Sequence, residues 1–103
     1  MDRYIPNGTP LTDRERELLT VLIEECCEVV CAATKLMRFG KENRPTPGGE
    51  PNTMILGSEM GDLEAIAAMV IEEKLVNEID VRQGRARKVE RLAFYLQTTA
   101  HGR

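Results

Sequence analysis

The chain has 103 residues, of which 42% are apolar, 30% charged and only 4% aromatic, with a net charge of −3 and a pI near 5.2. That length suits one domain with a modest core, and the acidic balance excludes the basic face a nucleic-acid backbone binder needs. An abundance of Leu, Ile, Val, Ala, Met and Glu with no Trp favours helices packed on helices over a sheet.

Residues 1 to 11 carry Pro6, Gly8 and Pro10 and are expected to form an irregular arm without the apolar core of a signal peptide. Thr12 and Glu15 make the S/T-x-x-E capping box, and Asp13 adds negative charge to the first turn. From there Leu18, Leu19, Leu22, Cys26, Val29, Val30, Ala33, Leu36 and Met37 recur at helical spacing. The helix is expected to run to about Phe39 and to stop at Gly40. Cys26, Cys27 and Cys31 lie on this helix without a C-x-x-C pair, so they read as buried, reduced thiols rather than a disulfide or zinc framework.

Residues 41 to 52 hold three prolines and a Gly-Gly pair, which makes them a long loop of the functional or mobile kind. Asn52 or Thr53 is the expected cap of a second helix. Its buried side is marked by Leu56, Met60, Leu63, Ile66, Ala67, Val70 and Ile71, and its end is placed between Leu75 and Asn77. A third helix is expected over Glu78 to Gln97, basic in its middle and weakened at Gly84. Residues 12 to 97 thus form one all-α domain, with residues 98 to 103 as a frayed tail. Three helices and one long loop make an incomplete bundle, whose core a homodimer or homotetramer would complete. No stretch is apolar over the length of a membrane span, and the expected address is cytoplasmic, with neither membrane nor nucleic-acid polymer as partner.

Two groups of carboxylates stand out. Glu24, Glu25 and Glu28 fall on one side of the first helix among Val21, Leu22, Ile23, Val29 and Val30, and no basic residue occurs between Arg16 and Lys35. Glu59 and Asp62 repeat the situation on the second helix among Leu56, Met60, Leu63 and Ile66. An E-E-x-x-E run by itself is usually a solvated face. Like charges set in apolar surroundings are a different matter, because they destabilise the fold unless something neutralises them. Divalent cations between the helices would do so, and Mg²⁺ suits oxygen ligands while keeping waters that a phosphate can replace.

E-E-x-x-E on one helix followed by E-x-x-D on the next resembles the signature of the MazG-like, all-α nucleotide pyrophosphohydrolases. Arg38-Phe39-Gly40 and Asn52 look like short phage and bacterial members, and Arg87-Lys88-Val89-Glu90-Arg91 is similar to the family's downstream N-x-K-F-x-x-R segment. The likeness spans roughly residues 17 to 96. It implies that Glu25, Glu28, Glu59 and Asp62 ligate Mg²⁺ (or Mn²⁺), and that Glu24 supports a further metal or the attacking water. It also implies that Lys88 and Arg91, helped by Arg85, Arg87 and Arg38, contact the phosphates of a nucleoside triphosphate. The activity implied is hydrolysis to a nucleoside monophosphate and pyrophosphate. Ala86 departs from the pattern where many relatives carry Asn, and the Pro/Gly stretch is long for the family.

Three other readings compete. A di-iron carboxylate bundle needs Glu-x-x-His pairs, whereas the one histidine, His101, sits in the tail. A non-catalytic dimerisation or regulatory module would use the same carboxylates for a structural cation. A dedicated dUTP or dCTP hydrolase would differ only in the few side chains that shape the base pocket.

Overall fold

A computed structural model of the chain describes residues 8–98. The tail with His101 and most of the N-terminal arm lie outside the described residues. Among those described there are three helices and no strands: α1 (Asp13–Phe39), α2 (Asn52–Glu72) and α3 (Glu78–Tyr95). The all-α expectation is met. The helix boundaries fall close to where the sequence places them, with two instructive exceptions.

The start of α1 is the capping box read from the sequence. Thr12 Oγ1 accepts from the Glu15 amide at 3.1 Å, and the Glu15 carboxylate accepts from the Thr12 amide at 2.8 Å. The helix ends at Gly40, whose φ of 89° lies in the region that favours glycine.

The start of α2 differs from expectation. Pro51 is the N-cap in an extended conformation and provides no side-chain cap. Asn52 is instead the first helical residue, and its side chain looks backwards into the loop. It is 2% exposed, and its amide donates to the Gly40 carbonyl at 3.1 Å and lies 3.5 Å from Asn43 Oδ1. Its backbone N–H donates to the Asn43 carbonyl at 2.9 Å. Loop ends that would otherwise carry unpaired backbone groups are therefore tied together by one buried residue.

The end of α2 comes earlier than Leu75. Lys74 N–H donates to Ile71 O at 3.0 Å and Leu75 N–H to Val70 O at 3.1 Å, the paired bonds of a Schellman motif. Leu75 packs back on the cluster containing Val70, the usual hydrophobic accompaniment. The left-handed position belongs to Lys74, with φ 63°, where glycine is the common occupant. Without a glycine in the sequence, the stop leaves no visible mark.

The N-terminus of α3 is capped by Asn77, whose side chain accepts from the Ile79 amide at 2.7 Å. The helix runs unbroken through Gly84 and stops at Tyr95, two residues before the expected end.

Helices α1 and α2 lie antiparallel. Arg14 in the first turn of α1 forms a two-point ion pair with Glu73 at the end of α2, at 3.0 and 2.7 Å, while Gly40 and Asn52 meet at the other end. Between these ties the contact rows follow alternating four- and three-residue steps. On α1 the row is Leu18, Leu22, Glu25, Val29, Ala32 and Leu36; on α2 it is Asn52, Leu56, Glu59, Leu63, Ile66 and Val70, all buried or half-buried. That spacing is the one a left-handed helix pair needs to keep its seam closed. Leu18, Ile66 and Val70 form the tight centre, with Leu22, Leu63 and Leu75 against it.

Beyond this seam the chain is thinly covered. Extensive packing among the described residues is confined to α1 and α2, and α3 contributes no buried residue. The Cα radius of gyration is 17.7 Å, against about 13 Å for a compact domain of this length. Cys26, Cys27 and Cys31 are exposed, which corrects the expectation of buried thiols. They lie on flanks of α1 that turn away from α2, as do exposed Val30 and Met37. No described helix is long and apolar enough to cross a membrane.

Candidate metal centre

Two of the seam positions are occupied by carboxylates. Glu25 on α1 and Glu59 on α2 interrupt otherwise apolar rows, and both are half-buried. Asp62, one turn beyond Glu59, is exposed at the edge of the same pair. Carboxylate oxygens of Glu25, Glu59 and Asp62 all lie within 4.8 Å of one another. Three of the five acidic residues singled out in the sequence are thus brought together from two helices. Glu24 and Glu28 flank them on α1, exposed and outside that tight group.

The electrostatic consequence falls on Glu25. Its carboxyl is pushed above its ordinary value, first by loss of solvent and then by the charges of Asp62, Glu59, Glu28 and Glu24. Every one of those neighbours is negative. The donor set is oxygen only, drawn from hard carboxylates, with neither a histidine nor a thiol in the group. That chemistry fits Mg²⁺ or Mn²⁺ and does not fit the softer metals.

The basic residues singled out in the sequence are placed elsewhere within the single chain. Arg85, Arg87, Lys88 and Arg91 ride on α3, which is not packed against the α1–α2 pair. Lys88 Nζ lies 5.9 Å from the Tyr95 ring centroid, and Arg82 pairs with Glu78 along the same helix. Arg38 stands at the far end of α1 over the Phe39 ring, 5.0 Å from its centroid. One polar residue that matters to the architecture, Asn52, reads in the sequence as a helix cap and as part of the family likeness, not as the residue that holds the loop. An asparagine directly after a Pro/Gly loop is the signal that could have marked it as a residue holding backbone rather than starting a helix.

No family model, no curated protein and no solved structure matches this chain.

Proposed function

We propose that this protein is a metal-dependent nucleoside triphosphate pyrophosphohydrolase of the MazG-like kind, acting as a homo-oligomer. The observation that carries the proposal is the meeting of Glu25, Glu59 and Asp62 across a seam that is otherwise apolar. A protein that needed only a stable helix pair would place leucine or alanine at Glu25 and Glu59, because clustered, partly desolvated carboxylates oppose folding until a cation joins them.

In this reading Glu25, Glu59 and Asp62 hold Mg²⁺, with Glu28 one turn along α1 as a further ligand. A bound Mg²⁺ supplies charge neutralisation for phosphate oxygens and lowers the pKa of a coordinated water. Glu24, solvent-facing beside the cluster, orients the attacking water and accepts its proton. Attack at the α-phosphorus breaks the α–β anhydride bond and releases a nucleoside monophosphate and pyrophosphate. Lys88 and Arg91, with Arg85 and Arg87, pair with the β and γ phosphates. Because α3 leaves the carboxylates uncovered in its own chain, these cations reach the substrate from a second copy. The exposed side chains Ile79, Val89 and Phe94 on α3, and Val30 and Met37 on α1, give that copy an apolar surface to cover.

The test is turnover. Purified protein with Mg²⁺ is expected to release pyrophosphate from nucleoside triphosphates, to be silent in EDTA, and to lose activity in Glu25→Gln. Orthophosphate as the first product would reassign the bond. Failure to hydrolyse any canonical or damaged triphosphate would favour a non-catalytic helical module whose carboxylates bind a structural cation. A screen across bases also separates a broad enzyme from a dedicated dUTP or dCTP hydrolase.

A further inference from the structure

The C-terminal end of α1 carries a second feature that hydrolysis at the carboxylates does not use. Lys35, Phe39, Asn43, Arg44 and Pro45 line a recess of about 300 Å³. That size is at the small end of ligand pockets, roughly 300–1,000 Å³.

Its walls are unusual for a surface hollow. Lys35 and Arg44 line it, Arg38 and Lys41 lie beside them in sequence, and none of these four cations within ten residues forms an ion pair among the described residues. Cations near a helix C-terminus complement its dipole, but a half-charge there does not call for four of them. The Phe39 ring is 53% exposed, with the Arg38 guanidinium 5.0 Å from its centroid.

The loop side of the recess is built in advance. Asn43 is fixed through its carbonyl by the Asn52 amide at 2.9 Å. The Arg44 guanidinium donates to the Gly49 carbonyl, and the Gly49 N–H donates to Thr46 O at 2.8 Å. A ligand meeting these groups loses little free energy in ordering them. An aromatic face, a guanidinium, an ammonium and a carboxamide together match a flat heterocycle bearing an anionic group.

We propose that this recess binds a nucleoside monophosphate, its base on Phe39 beside Pro45 and the Asn43 amide, its phosphate paired with Lys35 and Arg44. It is a site distinct from the carboxylate cluster. Phe39 lies fourteen residues beyond Glu25, about 21 Å along the helix at 1.5 Å per residue. That separation exceeds the reach from a base to its own α-phosphate, so one triphosphate does not serve both places. Occupancy has a route to the carboxylates, because Asn52 joins the loop to the start of α2, two turns ahead of Glu59.

The test reads binding rather than turnover, which separates it from the proposed hydrolysis. The full chain in EDTA is titrated with each of the four ribonucleoside monophosphates while amide signals are monitored by NMR. Saturable shifts centred on Lys35, Phe39, Asn43 and Arg44 are expected for at least one of them. The matching nucleoside and inorganic phosphate, each carrying half of the recognition, are expected to bind at least tenfold more weakly. Phe39→Ala and Arg44→Gln, both at exposed positions, are expected to weaken binding tenfold or more while leaving Mn²⁺ binding at the carboxylates unchanged. Absence of saturable shifts there, shifts confined to α3, inorganic phosphate binding as tightly as the nucleotide, or unaltered affinity in both variants would overturn the proposal.

Discussion

Glu25 and Glu59 face one another from adjacent helices with carboxylate oxygens within 4.8 Å, each standing where the four-three spacing of its helix calls for an apolar side chain. Their placement sets fold stability against site chemistry, so a substitution that helps one is expected to harm the other.

The isosteric change Glu25→Gln removes the charge and keeps the shape. Glu25 has a carboxyl pKa raised above 4.5, so the folded state holds its proton more tightly than the unfolded chain does. Its stabilising contribution is complete below about pH 4.5 and is lost as pH rises through the raised value. In EDTA at pH 7 the variant is therefore expected to melt above the unmodified protein, with the gap closing toward pH 4. Glu73 has the opposite sign, since Arg14 holds its carboxyl below 4.5 and its contribution is lost only as pH falls through that lowered value. The same Glu25→Gln variant is expected to lose roughly 100-fold or more in turnover. Thermal melts across pH, paired with a pyrophosphate-release assay, check both halves.

On the proposed assignment, added Mg²⁺ is expected to raise the melting temperature at pH 7.5, because a cation held by Glu25, Glu59 and Asp62 would bind the folded arrangement and not the dispersed carboxylates of the unfolded chain. At a hundred times its dissociation constant the gain is about 2.7 kcal/mol. The effect is expected to shrink toward pH 4.5, where protons compete, and to be much reduced in Glu59→Gln. An Mg²⁺ response equal in the variant would place the cation elsewhere.

Lys74 occupies the left-handed C′ position of α2. Lys74→Gly is expected to stabilise the protein by about 1 kcal/mol, since the Cβ penalty disappears while both Schellman bonds remain. Chemical denaturation reads this directly. A loss of stability would show that the lysine side chain compensates for its backbone.

Asn52→Ala removes the side chain that fastens the loop. The Gly40 carbonyl loses its buried partner, and a cost of about 1–3 kcal/mol is expected. Hydrogen exchange should quicken in residues 40–51 more than in the middle of α1. Uniform acceleration along the chain would mean that Asn52 supports the whole helix pair.

Sedimentation at micromolar concentration is expected to give a dimer or tetramer. Charge replacement in α3, such as Lys88→Glu, is then expected to raise KM while leaving the assembly intact. A monomeric wild type would leave the basic run of α3 without a path to the carboxylates and would remove it from the proposed site.

Much of this architecture is legible in the residues. The Thr12–Glu15 box, Gly40 and the helical recurrence of Leu18, Leu22, Leu63 and Ile66 place two helices by local chemistry and spacing alone. The acidic residues are legible as a group, because Glu25 and Glu59 sit among apolar neighbours without basic partners. What stays hidden is finer. The stop of α2 uses a lysine where glycine would have announced it, and Asn52 presents the same letter whether it caps a helix or knots a loop. Cys26, Val30 and Met37 fit the helical period but turn away from α2, since periodicity reports an apolar flank without saying what covers it. The detachment of α3 is tertiary information, carried by packing that no local spacing encodes.

The knot at Asn52 also frees part of the chain. Because Gly40 and Asn43 are fastened to the first residue of α2, the tip around Pro45 to Gly48 hangs from a closed base and bears none of the alignment of the two helices. Lengthening such a tip adds only a slowly growing closure entropy, about 0.6 kcal/mol for each doubling. Foreign peptides inserted there should be displayed without disturbing the helix pair, and drift in the length of this tip across generations would leave the carboxylates midway along the seam where they are.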